Sequence, residues 1–211
     1  ALYIDRKTLE MRNVLTLPQL RDEKHGAHFF SMKIDRDGIL WLSSTNNGIY
    51  RFNFPKRQFR IIPLPPSDKE GVRSLFQLKN GDVWVGTRSK NLYVLDKNGK
   101  LKFTYSYDRY RVGSVYYIMA DHKGNLWLST KGDGLVKALP DKSVAGGFRF
   151  VHYLHNVADR STISGNNVYI TYQDSHQRIW VGTLDGGLNL IVEHNGKIEF
   201  KNKYNGMKNY P

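Results

Sequence analysis

The chain has 211 residues, of which 40% are hydrophobic, and its 32 Lys and Arg against 19 Asp and Glu give a formal net charge of +13. This size and composition predict one medium-sized domain or two small ones with a real core, and they exclude a disordered tail. No apolar run approaches the roughly 20 residues of a membrane-spanning helix, and the absence of cysteine excludes disulfide frameworks, thiolate zinc sites and cysteine nucleophiles.

The N-terminal sequence ALYIDRKTLE has none of the segments of a secretion signal, as expected of a mature chain or of a fragment of a longer protein. Basic residues are spread over the whole chain and are densest in residues 86–111. Such a field favours anionic partners, namely nucleic acid, anionic lipid or acidic glycan, although a solvated basic surface is an equal alternative. Because no nucleic-acid-binding motif accompanies the charge, we expect no specific DNA or RNA binding.

An internal repeat places all four tryptophans, Trp41, Trp84, Trp127 and Trp180, at the same position, with spacings of 43, 43 and 53 residues. Three residues before them stand Gly38, Gly81, Gly124 and Gln177, and six before them stand Asp35, Leu78, Asp121 and Asp174. Seven after them stand Gly48, Asn91, Gly134 and Gly187. We interpret the Asp as the first residue of a turn, which accepts backbone N–H groups, and the glycine columns as turn positions with φ above zero.

In chain order, the repeat predicts the outer strands of a preceding blade in residues 1–20 and then four blades at 21–64, 65–106, 107–155 and 156–211. The third unit shows four short strands at 115–121, 125–130, 134–139 and 148–154, separated by Gly and Asp turns. Helix should be close to absent. A four-stranded antiparallel meander that recurs roughly every 40 to 50 residues predicts an all-β fold of β-propeller blades. We expect four complete blades plus part of a fifth, as a fragment of a larger propeller.

The segments DRDGILWLSS, NGDVWVGT, DHKGNLWLST and QRIWVGTLDGGL resemble the two-component regulator propeller repeat, and the match covers roughly residues 28–200. That repeat is found in the periplasmic sensor regions of hybrid two-component histidine kinases of gut Bacteroidetes. Leu78, Asn91 and Gln177 depart from the pattern, and we expect each departure to affect a single turn.

The resemblance implies a periplasmic sensor propeller of an inner-membrane protein whose histidine kinase lies elsewhere in the chain. It implies that the ligand is an oligosaccharide and that binding controls genes for polysaccharide utilisation. One alternative is a propeller that serves as a protein-interaction or dimerisation scaffold and docks a neighbouring protomer without a small ligand. A weaker alternative is a propeller lyase or hydrolase, since propeller enzymes place catalytic groups on loops of several blades.

Linear catalytic motifs are missing, including G-x-S-x-G, H-E-x-x-H and G-x-x-x-x-G-K-[ST]. Asp35, Asp37 and Gly38 resemble part of a calcium loop but lack its further acidic positions, so a turn is the simpler interpretation. We therefore predict no catalytic residues, no metal and no cofactor in this fragment. The four tryptophans could stack on sugars, but a fixed position in every blade favours packing between blades.

Candidate binding residues lie where inner strands begin, because loops of neighbouring blades meet there at one end of a propeller's central channel. Eleven residues before each tryptophan stand Phe30, Arg73, Tyr116 and Tyr169. Tyrosine and phenylalanine suit stacking on sugars and arginine suits a carboxylate or sulfate, although these residues could equally plug the channel. Loop cations of the second and third blades, Arg88, Lys90, Arg109 and Arg111, favour a uronic-acid or sulfated oligosaccharide, unless they point into solvent.

Overall fold

The structure is a computed structural model that describes residues 2–4, 11–13, 29–44, 48–53, 58–65 and 71–207. These residues form four sheets of four strands, one two-stranded hairpin and a single short helix. The hairpin comprises β1 (Leu2–Ile4) and β2 (Met11–Asn13), which pair antiparallel. The helix α1 spans Tyr107–Tyr110. The near absence of helix agrees with the sequence.

Each four-stranded sheet is an antiparallel meander of consecutive strands, and we call the four sheets blades 1 to 4. Blade 1 contains β3 (Phe29–Ile34), β4 (Ile39–Ser44), β5 (Ile49–Asn53) and β6 (Gln58–Ile62). Blade 2 contains β7 (Val72–Gln77), β8 (Val83–Thr87), β9 (Asn91–Leu95) and β10 (Leu101–Ser106). Blade 3 contains β11 (Val115–Ala120), β12 (Leu126–Thr130), β13 (Leu135–Pro140) and β14 (Phe148–Tyr153). Blade 4 contains β15 (Val168–Gln173), β16 (Ile179–Thr183), β17 (Gly187–His194) and β18 (Lys197–Lys201).

Three hydrophobic clusters fill the spaces between consecutive blades. Trp41 of blade 1 packs with residues of blade 2 such as Val83, and Trp84 of blade 2 packs with Leu128 of blade 3. Trp127 packs with Val181 of blade 4 in the same way. Removal of these large apolar surfaces from water stabilises each blade against the next, and it places the inner strands β3, β7, β11 and β15 side by side.

The face of blade 4 that points away from blade 3 is more exposed than the corresponding faces of blades 1 to 3. Trp41, Trp84 and Trp127 are at most 2% exposed, whereas Trp180 is only partly buried. Large apolar side chains are exposed on the inner strand of this blade and on the turn after β16, namely Tyr169, Ile170, Tyr172 and Leu184. No described residue covers this face as the following blade covers the faces of blades 1 to 3.

Two predicted turn positions follow the sequence, with one difference. Gly38, Gly81 and Gly124 adopt φ of 73°, 89° and 81°, and Gln177 adopts 63°. At the second position Gly48, Gly134 and Gly187 also have φ above 70°, but Asn91 does not have a positive φ. The Thr87 hydroxyl still donates to the Asn91 carbonyl at 2.7 Å, as Thr130 and Thr183 donate to the Gly134 and Gly187 carbonyls in blades 3 and 4.

Candidate functional site

Every inner strand carries a β-bulge next to its first residue. In β7, Val72 pairs with Thr87 and Ser74 pairs with Gly86, so Arg73 is the unpaired extra residue. The equivalent irregularity leaves Phe30, Tyr116 and Tyr169 unpaired in β3, β11 and β15. A bulge interrupts the regular alternation of side chains between the two faces of a strand and redirects one side chain. Bulges are common next to active sites. The four candidate binding residues that stand eleven residues before the tryptophans are therefore the bulged residues of the inner strands.

Three of these bulged residues form a continuous row across blades 2, 3 and 4. The Arg73 guanidinium carbon lies 5.3 Å from the centroid of the Tyr116 ring, a distance typical of cation–π contacts. The Tyr116 and Tyr169 rings are perpendicular with centroids 5.2 Å apart. Tyr169, at the end of this row, remains 42% exposed. Phe30 occupies the same position of β3, and its side chain lies outside the described part of the chain.

A cavity of about 520 Å³ lies between the β8–β9 turn and the connection from β10 to β11. It is lined by Arg88, Lys90, Tyr107 and Asp108, among others. The Lys90 amine and the Arg111 guanidinium carbon approach the Tyr107 ring centroid to 5.8 and 5.4 Å. None of the ion pairs formed by the described residues involves Arg88, Lys90 or Arg111. The cavity therefore combines two cations that form no ion pair, Arg88 and Lys90, with one carboxylate, Asp108, and an aromatic wall.

Arg109, the fourth predicted loop cation, is placed differently. Its guanidinium carbon lies 5.4 Å from the centroid of the Tyr110 ring, and the residue does not line the cavity. Two of the four loop cations, Arg88 and Lys90, thus line the cavity, and a third, Arg111, lies against the Tyr107 ring that forms part of its wall.

Hydrogen bonds between blades hold this cationic cavity in shape. The Ser114 amide and hydroxyl donate to the Ser89 and Arg88 carbonyls, both at 2.6 Å, and the Tyr107 hydroxyl donates to Asp133 at 2.9 Å. Two non-glycine residues of the connection, Arg111 and Ser114, have φ of 54° and 46°. Such sparsely populated conformations persist where surrounding contacts impose them, and they cluster at functional sites. Tyr107 and Ser114 were missed by the sequence prediction, because neither belongs to a column of the repeat.

The row of Arg73, Tyr116 and Tyr169, which we call the aromatic row, lies at the same end of the blades as the cationic cavity. Arg88 follows Thr87, the partner of Val72, and its amide donates to the Gly71 carbonyl at 2.9 Å. The β8–β9 turn therefore sits beside the beginning of β7, which also carries Arg73. We call this end, where β7, β11 and β15 begin, the mouth end.

The repeated aspartates have a structural role at the opposite end. The Asp35 carboxylate accepts the Asp37 and Ile39 amides at 3.0 and 2.9 Å and the Trp41 indole N–H at 2.8 Å. The same indole bond joins Trp127 to Asp121 and Trp180 to Asp174, both at 2.9 Å. One carboxylate thus fixes both a turn and the ring that packs between blades. The constant spacing of six residues is the sequence signal for this bond.

These hydrogen bonds lower the pKa of two of the carboxyl groups. The Trp180 indole is the main reason that the pKa of Asp174 lies well below its ordinary value, and Arg178 adds to the effect. Burial would raise the pKa of Asp121, but hydrogen bonds from Asn125 and Trp127 outweigh burial and lower it. Both carboxyl groups are therefore ionised acceptors at neutral pH.

The described residues contain neither a cluster of metal-ligating side chains nor a membrane-spanning helix. No group of three or more His, Asp or Glu side chains in this part of the chain is arranged to hold a metal ion. In the same residues no helix is long and apolar enough to cross a bilayer.

Known proteins contain segments similar to two units of the repeat. Residues 110–132 and 162–185 match the sequence profile of the two component regulator propeller. Histidine kinase P4 of Formosa agariphila is 24% identical in an alignment of 173 residues that covers 78% of this chain and 12% of that protein. Two segments of the chain are therefore similar to the two component regulator propeller, and the chain spans about an eighth of the length of the kinase that it matches.

Solved structures show the same fold. The extracellular domain of a putative hybrid two component system from B. thetaiotaomicron has a TM-score of 0.69 and 22% identity, covering 89% of this chain and 24% of that one. PorZ, a bacterial surface component of the type-IX secretion system of Porphyromonas gingivalis, has a TM-score of 0.66 and 17% identity, covering 90% of this chain and 30% of that one. The prediction of β-propeller blades is confirmed, and the chain spans less than a third of either protein.

Proposed function

We propose that these blades belong to the periplasmic ligand-sensing propeller of a hybrid two-component sensor histidine kinase. The ligand is an acidic oligosaccharide, bound at the mouth end, and its binding controls genes for polysaccharide utilisation. Support for the sensor comes from the matched repeats and from the likeness to the extracellular domain of a putative hybrid two component system. The kinase and the membrane anchor belong, in this proposal, to other parts of the protein.

The observation that carries the ligand class is the chemistry of the mouth end. The aromatic row of Tyr116 and Tyr169 offers ring surfaces for the apolar faces of sugars. Arg73 at one end of the row and Arg88 and Lys90 in the cationic cavity offer donors for carboxylate or sulfate oxygens. An oligosaccharide with alternating sugar rings and anionic groups matches this combination better than a neutral one.

Isothermal titration calorimetry of the full chain tests the proposal with tetragalacturonate and a chondroitin sulfate tetrasaccharide against neutral cellotetraose. At least one acidic sugar should bind more tightly than the neutral one. Arg88→Ala and Arg73→Ala should each weaken that binding about 10-fold or more, because a charged hydrogen bond contributes roughly 1.5–3 kcal/mol.

The matched control is Lys100→Ala, since Lys100 is an exposed cation in the β9–β10 turn at the opposite end. It removes the same charge and should leave the affinity unchanged. Tighter binding of cellotetraose, or equal losses in all three variants, would mean that the basic residues act only as a general surface charge.

A second candidate function is a scaffold that docks a neighbouring protomer or further propeller blades. The exposed apolar face of blade 4, with Ile170, Tyr172 and Leu184, favours it. So does the likeness to PorZ, a surface component of a secretion system. Sedimentation of the full chain separates the two functions, because a scaffold predicts association without oligosaccharide binding. Ile170→Lys should reduce such association and leave the mouth end unaffected.

A further inference from the structure

One tryptophan lacks the hydrogen bond that the other three make. The indole N–H groups of Trp41, Trp127 and Trp180 each donate to the aspartate six residues earlier. In blade 2 that position is Leu78, and the Trp84 indole makes no hydrogen bond to any described residue. Trp84 is nevertheless only 1% exposed. Its indole nitrogen is not among the fully buried polar atoms that lack a partner, which are Ser43 Oγ and Arg51 Nε in the described residues, so the N–H reaches the surface of an adjoining cavity.

Trp84 and Leu78 line a cavity of about 380 Å³ between blades 2 and 3. Its other walls include Phe103 of β10 and Phe148 of β14. The Phe148 ring stands nearly perpendicular to Trp84 with centroids 4.8 Å apart. In the other blades the aspartate carboxylate meets the indole nitrogen from this side. The unpaired Trp84 N–H therefore faces the space between Leu78 and the phenylalanines.

The cavity between blades 2 and 3 has a polar rim whose side chains are fixed by an ion pair and a hydrogen bond. Lys102 forms an ion pair with Asp82 at 2.7 Å, and the Asn80 amide donates to the same carboxylate oxygen at 2.8 Å. Lys102 is the bulged residue of β10, because Leu101 pairs with Leu95 and Phe103 pairs with Val94. The bulge directs a cation to the rim. Lys102 retains further N–H donors beyond the one that binds Asp82.

These surfaces define the chemistry of an occupant. Phe103 and Phe148 suit a ring with an apolar face, whereas Trp84 needs a hydrogen-bond acceptor. The Asp82–Lys102 pair suits hydroxyl groups, which both donate and accept. A hydrocarbon chain would leave the Trp84 N–H unpaired, and a simple anion would compete with Asp82 for Lys102. The volume lies near the lower limit of about 300 Å³ for small-ligand pockets.

We propose that the cavity between blades 2 and 3 is a second ligand site, distinct from the mouth end, that binds a single neutral sugar ring through the Trp84 indole N–H. The site lies beside the β7–β8 turn, at the end opposite to Arg73 and the cationic cavity. Its existence does not depend on the sensor function or on an acidic ligand at the mouth end.

NMR of the ¹⁵N-labelled full chain tests the proposal, because the four tryptophans give four indole N–H signals. Trp84→Phe identifies the Trp84 signal by its loss. D-glucose, D-galactose, D-mannose and D-xylose are then titrated separately into the unaltered protein. At least one sugar should shift the Trp84 signal in a saturable manner and leave the Trp41, Trp127 and Trp180 signals in place. If none of the four sugars moves the Trp84 signal, the proposal is wrong.

Leu78→Asp is the decisive variant, because it recreates the arrangement of the other three blades. The new carboxylate should bind the Trp84 N–H, shift its signal without ligand and abolish its response to sugar. Unchanged sugar binding in this variant would also overturn the proposal. Trp84→Phe keeps a ring but removes the donor, and calorimetry should show roughly 2- to 10-fold weaker binding, as expected for one neutral hydrogen bond.

Arg88→Ala serves as the control for the mouth end. The sugar response of the Trp84 signal should be the same in this variant, even if acidic oligosaccharides no longer bind. The two sites can therefore fail or succeed independently.

Discussion

Gln177 occupies the position at which the other three blades have glycine, and it adopts the same left-handed conformation with φ of 63°. The left-handed conformation costs an L-residue with a Cβ roughly 1–2 kcal/mol of conformational energy. Gln177→Gly should therefore stabilise the protein by about 0.5–1 kcal/mol, because the relief of strain exceeds the added entropy of the unfolded chain. Urea denaturation measures the difference.

Gly124→Ala is the matched control in blade 3. Gly124 has φ of 81°, and a Cβ there would meet no atom within 4 Å, so only backbone strain opposes the substitution. It should cost about 1 kcal/mol or more. A destabilising Gln177→Gly, with Gly124→Ala neutral, would contradict the shared turn conformation.

Because only some of the indoles form a hydrogen bond to an aspartate, the same Trp→Phe substitution should lower the unfolding free energy by different amounts in blades 2 and 3. Trp127→Phe removes the donor to Asp121, whereas Trp84→Phe removes no hydrogen bond within the described residues. Both replacements lose the same ring atoms from sites that are 1% exposed. Trp127→Phe should therefore cost about 1.5 kcal/mol more in unfolding free energy, the lower range for a bond to a charged group. Equal costs would mean that the carboxylate contributes only to the turn.

At the scale of the turns, the ionised aspartates predict a loss of stability in acid. The folded pKa of Asp121 lies below its value in the unfolded chain, about 3.9. Its contribution to stability is therefore complete above about pH 4 and is lost as the pH falls through the lowered folded pKa. Asp121→Asn cannot ionise, so its unfolding free energy should fall less between about pH 4 and 2. Parallel pH profiles of the two proteins, measured by urea denaturation, would contradict this assignment.

Contacts between blades predict opposite effects for two equivalent serines. Ser129 of blade 3 is hydrogen-bonded to Thr171 of blade 4 at 2.9 Å. The equivalent Ser43 hydroxyl of blade 1 is buried and has no hydrogen-bond partner among the described residues. The residue of blade 2 that corresponds to Thr171 is Leu75. Ser129→Ala should cost about 1–3 kcal/mol because it leaves the buried Thr171 hydroxyl unpaired. Ser43→Ala should be neutral or stabilising, and thermal denaturation of the two variants decides between these outcomes.

The strands were largely predictable because the repeat aligns four copies of the same pattern. Those of the third unit, expected at 115–121, 125–130, 134–139 and 148–154, are observed as Val115–Ala120, Leu126–Thr130, Leu135–Pro140 and Phe148–Tyr153. The bulges were not predictable, because the four bulged residues differ in type and share only their distance from the tryptophan. Leu78 was expected to change a single turn, but its effect extends to a cavity between two blades.

At the scale of the whole molecule, the candidate site was predictable in part. The column of Arg73, Tyr116 and Tyr169 could be identified because inner strands begin together at one end of a propeller. The cationic cavity depends on contacts of Tyr107 and Ser114 across blades, and a single repeat column does not encode such contacts. The net charge of +13 pointed to an anionic partner, but only the structure shows that Arg88 and Lys90 line the cavity, whereas Arg111 lies against the Tyr107 ring and Arg109 against Tyr110.

We propose that an acidic oligosaccharide binds at the mouth end of these blades. Hydrogen–deuterium exchange of the full chain, with and without tetragalacturonate or a chondroitin sulfate tetrasaccharide, tests it most directly because it locates the protected amides. Exchange should become slower in residues 71–73, 88–91 and 107–116 and around Tyr169, with no change in the β7–β8 turn at the opposite end. Unchanged exchange at the mouth end with both sugars, or protection confined to the opposite end, would contradict it.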